Sequence, residues 1–169
     1  MPSSVAHELV DIVTDDDRVI ATVTRGAMRA NRLQHRAVFI AVVSSAGRLL
    51  VHRRSDAKDV WPGWWDIAVG GVVASGESYD DAATRELAEE IGVRDVVPDL
   101  LGSARYADDQ VALVCHCYRV RHDGPFTFDD GEVVEARWAS QPELGKLLRE
   151  QRFLPDSLAV LLPLLSDFT

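Results

Sequence analysis

The most continuous apolar run of the chain lies at residues 37–43, which read AVFIAVV. A strand without polar positions is typical of a sheet that is covered on both faces, so we predict a buried strand here. Residues 44–47 then form a turn, and residues 48–54 return as the second strand of a hairpin. Residues 55–63 are polar and contain Pro62-Gly63, which predicts a loop.

The N-terminal part of the chain predicts a second hairpin. Residues 8–13 and 19–23 have the composition of strands, and the acidic triplet at residues 15–17 between them is typical of a turn. Residues 1–4 are expected to be a loose tail, and residues 25–33 a short helix or an irregular connection. We therefore expect a single domain over residues 1–169, with residues 1–34 as an N-terminal β-hairpin extension.

The clearest helical pattern covers residues 78–91. Ala83, Leu87 and Ile91 recur every fourth residue and predict one buried stripe. Ser78, with an acidic residue three positions later, is typical of a helix N-cap, and Gly92 stands where a C-terminal glycine cap is expected. This stretch is therefore predicted to be an amphipathic helix with defined ends.

The remaining elements follow in a mixed order. We predict a strand at residues 66–73, an antiparallel pair at residues 100–106 and 111–121, and a further strand at residues 133–138. Residues 141–150 and 155–165 are predicted to be helices, the second beginning with Pro155. Because strands and helices do not alternate regularly, the sequence favours an α+β fold in which helices sandwich a mixed sheet.

Composition narrows the classes of partner. The 18 Lys and Arg residues against 27 Asp and Glu residues give a formal charge of −9, which argues against nucleic acid and anionic membranes because binding there depends on cationic side chains. A small phosphorylated ligand remains compatible, since a bound divalent cation inverts the local charge. No apolar run approaches the ~20 residues of a membrane helix.

The two cysteines are a weak candidate for a metal site. Cys115 and Cys117 would share one face of a strand, with His116 on the other, so we interpret them as buried strand residues and not as zinc ligands. With so few cysteines and no recognisable secretory signal, the expected location is the cytoplasm.

The predicted helix at residues 78–91 carries a group of carboxylates. On an α-helix Glu86 and Glu90 lie about 40° apart around the axis, and Glu89 lies about 60° to the other side of Glu86. Hard carboxylate oxygens suit Mg²⁺ or Mn²⁺, and Arg85 could pair with Glu77 or with Glu89. A solvated acidic helix face would be the alternative explanation for the glutamates alone.

The spacing of these residues resembles the Nudix box. The family pattern has its fixed positions filled here by Gly71, Glu77, Arg85-Glu86, Leu87, Glu89-Glu90, Gly92 and Val93. The resemblance implies the Nudix fold, an α/β/α sandwich around a mixed sheet that begins near residue 37. It also implies hydrolysis of a nucleoside diphosphate linked to another group.

The resemblance further implies roles for individual residues. Glu86, Glu89 and Glu90 would bind Mg²⁺ or Mn²⁺, with the Gly71 carbonyl as a further ligand. Glu77 and Arg85 would orient these side chains. A glutamate would take the proton of the attacking water, and the candidates are Glu89 and, outside the box, Glu132 and Glu135.

Other residues are candidates for substrate contact. Arg53, Arg54 and Lys58 form a basic group in an acidic chain and could bind phosphates, although strand alternation lets only one of the two arginines face a given site. Trp64 belongs to a tryptophan cluster, Trp61, Trp64 and Trp65, that could pack beneath the loop or form a wall for a flat ligand.

The flanking sequence resembles the Nudix branch that contains isopentenyl diphosphate isomerase and hydrolase-like relatives. The resemblance rests on residues 33–36, on Arg53-Arg54-Ser55 and Lys58, and on Trp61-Pro62-Gly63. The isomerase cysteine and two of its metal-binding histidines are replaced here by Gly70, Val72 and Met28. His35, the matching histidine that remains, is interpreted as a packing residue.

The sequence is compatible with three functions. The first is a diphosphate hydrolase with a small-molecule substrate. The second is an isomerase-type enzyme acting on a prenyl diphosphate, which the missing cysteine disfavours. The third is a non-catalytic nucleotide sensor, which the intact set of glutamates disfavours. The chain is expected to be a monomer or a homodimer.

Overall fold

The computed structural model describes residues 4–169, in which nine strands form one mixed sheet. The strands are β1 (Leu9–Val13), β2 (Val19–Thr24), β3 (His35–Val43), β4 (Leu49–Arg54), β5 (Trp65–Asp66), β6 (Val69–Val72), β7 (Asp99–Ala107), β8 (Ala112–Arg121) and β9 (Val133–Ala139). The helices are α1 (Arg25–Ala30), α2 (Tyr79–Ile91), α3 (Gln141–Glu150) and α4 (Pro155–Val160).

Strand β3 is the centre of the sheet. It pairs parallel with β8 over its whole length, from His35 to Val43, and antiparallel with β1, β4 and β6. All of its residues except Arg36 are buried. The predicted buried strand at residues 37–43 is confirmed, because neighbouring strands on either edge and helices on either side bury these positions.

Helices cover the sheet on both sides, so the predicted α+β sandwich is confirmed. On one face, α2 buries Ala83, Leu87 and Ile91 against the even-numbered positions of β3. On the other face, Leu144 of α3 and Val160 of α4 pack with the odd-numbered positions of β3. None of the helices in residues 4–169 combines the length and apolar character needed to cross a membrane.

The N-terminal hairpin forms as predicted. Strands β1 and β2 pair antiparallel, and β1 joins the main sheet through Ile12, opposite His35. Met28 of α1, which stands where the isomerase has a histidine, is buried in a small apolar cluster with Val10 and Val72. Of the predicted loose tail, residues 1–3 lie outside the described residues, and Ser4 opens a 3₁₀ turn, Ser4–His7, instead.

Two sequence predictions about regular structure are wrong. The strand expected at residues 66–73 is divided into β5, which pairs with β4, and β6, which pairs with β3, and Asp66 Oδ1 accepts the amide of Ala68 at 3.0 Å in the gap. The helix expected at residues 155–165 ends at Val160 and continues as two 3₁₀ turns, Leu162–Leu164 and Ser166–Phe168. Pro163 explains the early end, because it lacks the N–H that an α-helix requires.

The cysteines are core residues, as predicted. Cys115 and Cys117 are both fully buried with free thiols. His116 points to the opposite face of β8, where its ring stacks on Tyr79 with 3.7 Å between ring centroids.

Candidate active site

One large cleft of about 820 Å³ opens beside β6 and α2. Its wall contains Gly70 and Gly71 of β6 and Glu86 and Glu89 of α2. It continues along the loop after β4 and along residues 129–132, and it reaches the first turn of α4. Clefts of this size commonly bind small molecules, so this is the candidate active site.

Helix α2 is positioned by its own sequence. The Ser78 hydroxyl accepts the amide N–H of Asp81 at 3.1 Å, and Gly92 ends the helix in the left-handed conformation with φ +72°. The buried stripe fixes the rotation of the helix about its axis. This rotation turns Glu86 and Glu90 toward the sheet and leaves the Glu89 side chain 57% exposed.

Arg85 connects the carboxylates of this helix to the strand beside it. Its guanidinium donates to both oxygens of Glu77, at 2.8 and 3.0 Å, and to Glu86 at 2.8 Å. It also reaches Glu89 at 3.2 Å and the Val72 carbonyl at 3.2 Å. Burial alone would raise the pKa of Glu77, but Arg85 and a backbone amide hold it below its usual value. Arg85 therefore orders Glu77 and Glu86 at the same time.

Glu86 is a buried carboxylate facing the cleft. Burial and then the nearby charge of Glu90 raise its pKa to about 7, against the opposing effect of Arg85. A side chain at position 71 would collide with the Glu86 carboxylate, so glycine at this position lets that carboxylate pack against β6. Near neutral pH, a second positive charge at this point would favour the ionised form of Glu86.

Glu90 is turned away from the cleft wall. It is 5% exposed, and its Oε1 lies 3.3 Å from Nε2 of the buried His52. Its Oε2 accepts the amide of Gly70 at 3.3 Å. Burial alone would raise the pKa of Glu90, but His52, Lys58 and the Gly70 amide lower it on balance. Glu90 thus fastens the helix to the strand that carries Gly70.

The predicted metal ligands are neighbours but do not yet surround one point. Within residues 4–169, no three acidic, histidine or cysteine side chains are arranged to hold a metal ion. Arg85 Nη1 stands between Glu86 and Glu89, at the distances given above. A cation that used both carboxylates would require Arg85 to release at least the exposed Glu89.

The basic group divides as strand alternation predicts. Arg54 and Lys58 are on the cleft wall, whereas Arg53 is not and lies 3.7 Å from Asp56. Lys58 Nζ lies 2.8 Å from Glu132 Oε2, so Glu132 also reaches the wall.

Two further candidates for substrate contact are found off the wall. Glu135 lies beside Arg53 and Arg137, outside the cleft lining. Trp64 is also outside the lining, and the Arg152 guanidinium stands 5.8 Å from its ring centroid. Trp61 is the tryptophan on the wall, in a left-handed conformation with φ +46° that turns the loop. Arg53, Trp64 and Glu135 therefore do not line this cleft, and their contact with substrate stays a prediction.

Three buried polar residues of the cleft lining were not predicted as site residues from the sequence. Asp66 and Asp156 are 5% and 6% exposed, and both line it. His35, interpreted as a packing residue, is 2% exposed and also lines it. A lone acid within the apolar stretch at residues 65–69 was the one available signal for Asp66. Asp156 resembled an ordinary first-turn acid of a helix.

Comparison with known proteins agrees with this geometry. The NUDIX domain family matches residues 33–160. An uncharacterized Nudix hydrolase of Pseudomonas aeruginosa is 40% identical over 157 residues, covering 91% of each chain. Another from Streptomyces coelicolor is 40% identical over 158 residues, covering 92% of this chain and 87% of that one.

Solved structures have the same fold. The crystal structure of DR0079 from Deinococcus radiodurans matches with a TM-score of 0.78 and 26% identity, covering 96% of this chain and 100% of that one. The NUDIX domain of Shewanella oneidensis NrtR, solved with ADP ribose, matches with a TM-score of 0.60. At 19% identity over 81% of this chain and 94% of that one, it supports the fold alone.

Proposed function

This chain belongs to the Nudix family as a Nudix-type hydrolase, and we propose that it cleaves the diphosphate linkage of a nucleoside diphosphate derivative or a similar small phosphorylated molecule with the help of Mg²⁺. One observation carries the proposal. Glu86 and Glu89 reach the cleft beside Gly71, and the same cleft contains Arg54 and Lys58. Carboxylates for a divalent cation and cationic side chains for phosphate oxygens thus share one space.

The residues fit a divalent cation. The candidate ligands are carboxylate and carbonyl oxygens, which Mg²⁺ and Mn²⁺ prefer. Gly71 lets the Glu86 carboxylate lie directly against the backbone of β6. Burial and the charge of Glu90 raise the pKa of Glu86 more than Arg85 lowers it, so a cation would stabilise its ionised form. When bound, such a cation supplies charge stabilisation to the phosphate oxygens.

The protein residues would then act as follows. Glu86 and Glu89, with the Gly71 carbonyl, would hold the cation. Glu90, the third predicted ligand, contacts His52 and the Gly70 amide and would have to turn to join them. Arg85 and Glu77 orient Glu86. Arg54 and Lys58 bind phosphate oxygens, and Glu89 or Glu132 accepts the proton of the attacking water.

The proposal is tested with a substrate panel. The purified chain is incubated with Mg²⁺ or Mn²⁺ and with nucleoside diphosphates, nucleoside diphosphate sugars, ADP-ribose and prenyl diphosphates. Glu89→Gln is the cleanest variant because Glu89 is exposed and supports no buried contact. We expect kcat to fall at least about a hundredfold, since even partners of metal ligands account for tenfold to a hundredfold losses.

Glu150→Gln is the matched control. It removes the same charge from an exposed position at the end of α3, and kcat should stay at the parental value. Parental turnover by Glu89→Gln, or turnover unchanged after chelation of divalent ions, would contradict the metal assignment. Failure to hydrolyse any diphosphate would contradict the proposed function itself.

The isomerase-type alternative gains no support from the site. A side chain at position 70, where the resemblance would require cysteine, would collide with the Val38 carbonyl of the neighbouring strand β3. Position 28 is a buried methionine, as described above. The site therefore lacks the room and the donors for a thiol-based proton transfer.

A further inference from the structure

The floor of the cleft is built from residues of three distant segments. We use the term floor for His35 at the start of β3, Asp66 of β5 and Asp156 of α4, all of which line the cleft. Each is more than nine-tenths buried, at 2%, 5% and 6% exposure. None of them belongs to the Nudix box, and the proposed hydrolytic step does not use them.

His35 presents a hydrogen-bond acceptor to the cleft. Its Nδ1 lies 3.0 Å from the Leu33 carbonyl, which can only accept, so Nδ1 carries the proton. Burial lowers the pKa of the ring to about 4, so it is neutral at physiological pH. The remaining nitrogen, Nε2, then carries a lone pair, and it has no hydrogen-bond partner within residues 4–169.

The two aspartates add acceptor capacity. Asp66 Oδ1 accepts the Ala68 amide at 3.0 Å, and Asp156 Oδ1 accepts the Ser157 amide at 2.7 Å. In the part of the chain that is described, the other oxygen of Asp156 has no hydrogen-bond partner. Burial and then the charge of Asp66 raise the pKa of Asp156 to about 7. These acceptor atoms line the cleft, so a ligand group that donates a hydrogen bond would gain a partner there.

Apolar side chains and the cationic Arg54 surround the floor. Burial raises the pKa of both aspartates, and the charge of Arg54, which also lines the cleft, opposes this rise. Ala37, Phe39, Leu113 and Leu154 line the same cleft. Apolar lining with a few polar groups is the usual form of a specific small-molecule subsite. It would accept a group with apolar faces and a polar tip, whereas a wholly apolar chain would leave buried carboxylates and His35 Nε2 unpaired.

We propose that His35, Asp66 and Asp156 form a subsite that recognises hydrogen-bond donors, amino or hydroxyl groups, on the part of the substrate remote from the diphosphate. The subsite rests on the proposed function, because it is argued for the same cleft. It narrows the substrate class to diphosphates that carry a donor-bearing group, and it selects against prenyl diphosphates.

The subsite is tested by binding, separately from turnover. The ligands are methylene-bridged diphosphonates, which cannot be hydrolysed, carrying either an n-alkyl chain of five to eight carbons or the same chain with a terminal amino or hydroxyl group. Calorimetric titration with Mg²⁺ should show at least about tenfold tighter binding of the best donor-bearing ligand over its alkyl match, as expected for hydrogen bonds to charged acceptors.

Variants at Asp156 show whether the floor causes this preference. Asp156→Leu should abolish it, and Asp156→Asn, which keeps the shape, should reduce it to about threefold or less. Asp167→Asn removes the same charge from the exposed C-terminal turn and should keep the parental preference. Thermal unfolding of each variant shows that it is folded, and the asparagine variant carries the test if the leucine variant is not.

The outcomes separate the two proposals. Equal affinity for the matched ligands, no binding of either, or an unchanged preference in the Asp156 variants would overturn the subsite. Preferential binding of the donor-bearing diphosphonate without hydrolysis of any diphosphate would overturn the proposed function and leave the subsite standing. Hydrolysis of diphosphates without preferential binding of the donor-bearing ligand would overturn the subsite and leave the proposed function standing.

Discussion

Two groups of acidic side chains lie at or beside the same cleft, and they are held in different ways. On α2, Glu86 is bound by Arg85 at 2.8 Å and Glu90 lies 3.3 Å from His52. At the floor, Asp66 and Asp156 accept backbone amides; burial raises the pKa of both, and the charge of Asp66 raises that of Asp156 further. The α2 group is thus held by basic side chains in contact with it, whereas the floor aspartates are costly to ionise because they are buried.

Arg85→Ala removes the basic partner of the α2 carboxylates, and among the variants tested by unfolding it should have the largest effect on stability. It removes the partner of the buried Glu86 and of Glu77, which leaves carboxylates without a counter-charge. We expect the free energy of unfolding to fall by about 3–5 kcal/mol, as for other broken buried ion pairs. Urea unfolding at neutral pH without divalent ions measures it.

Arg85→Lys is the matched control for this prediction. Lysine keeps the charge but cannot donate to Glu77, Glu86 and Val72 together. The free energy of unfolding of this variant should therefore lie between those of the parent and the alanine variant. An alanine variant as stable as the parent would show that Arg85 does not organise the α2 group.

Asp156→Asn tests how much the buried carboxyl group of the floor makes stability depend on pH. Because the pKa of Asp156 is raised from 3.8 to about 7, the folded chain holds a proton that the unfolded chain releases between these values. This contribution to stability is present at pH 4 and is lost as the pH rises toward 7. The variant cannot ionise, so its stability relative to the parent should increase by about 2–3 kcal/mol across that window.

Urea unfolding of both proteins at several pH values from 4 to 7 tests this expectation. The exposed Asp167→Asn variant should follow the parent at every pH. A constant difference between Asp156→Asn and the parent would mean that Asp156 titrates normally in the folded state.

The same comparison explains what could be predicted from sequence. The α2 group depends mostly on local sequence. The buried stripe follows from periodicity, the cap from the terminal Gly92, and the contact of Arg85 with Glu77 or Glu89 from their spacing. The sandwich follows in the same way from the apolar run of β3 and the stripe of α2.

The floor could not be predicted, because Asp66 and Asp156 are 90 positions apart in sequence and meet only through tertiary packing. Residues 66–73 divide into β5 and β6 because β5 pairs with β4 and β6 pairs with β3. This division, which depends on neighbouring strands, leaves Asp66 on β5 in the cleft lining. The inward turn of Glu90 toward His52 likewise depends on β4, which no pattern within the helix can reveal.

Ser78→Ala tests whether α2 is positioned by its own terminal residues. It should have the smallest effect on stability. The Ser78 hydroxyl accepts the Asp81 amide at 3.1 Å, and loss of such a cap typically costs about 1 kcal/mol. Ser78→Asp, which retains a capping oxygen, should stay within about 0.5 kcal/mol of the parent. If α2 is positioned mainly by its own ends and stripe, the alanine variant should also show faster amide exchange in the first turn of α2. A loss of several kcal/mol, or faster exchange spread to the floor at β5 and α4, would instead mean that the two regions unfold as one unit.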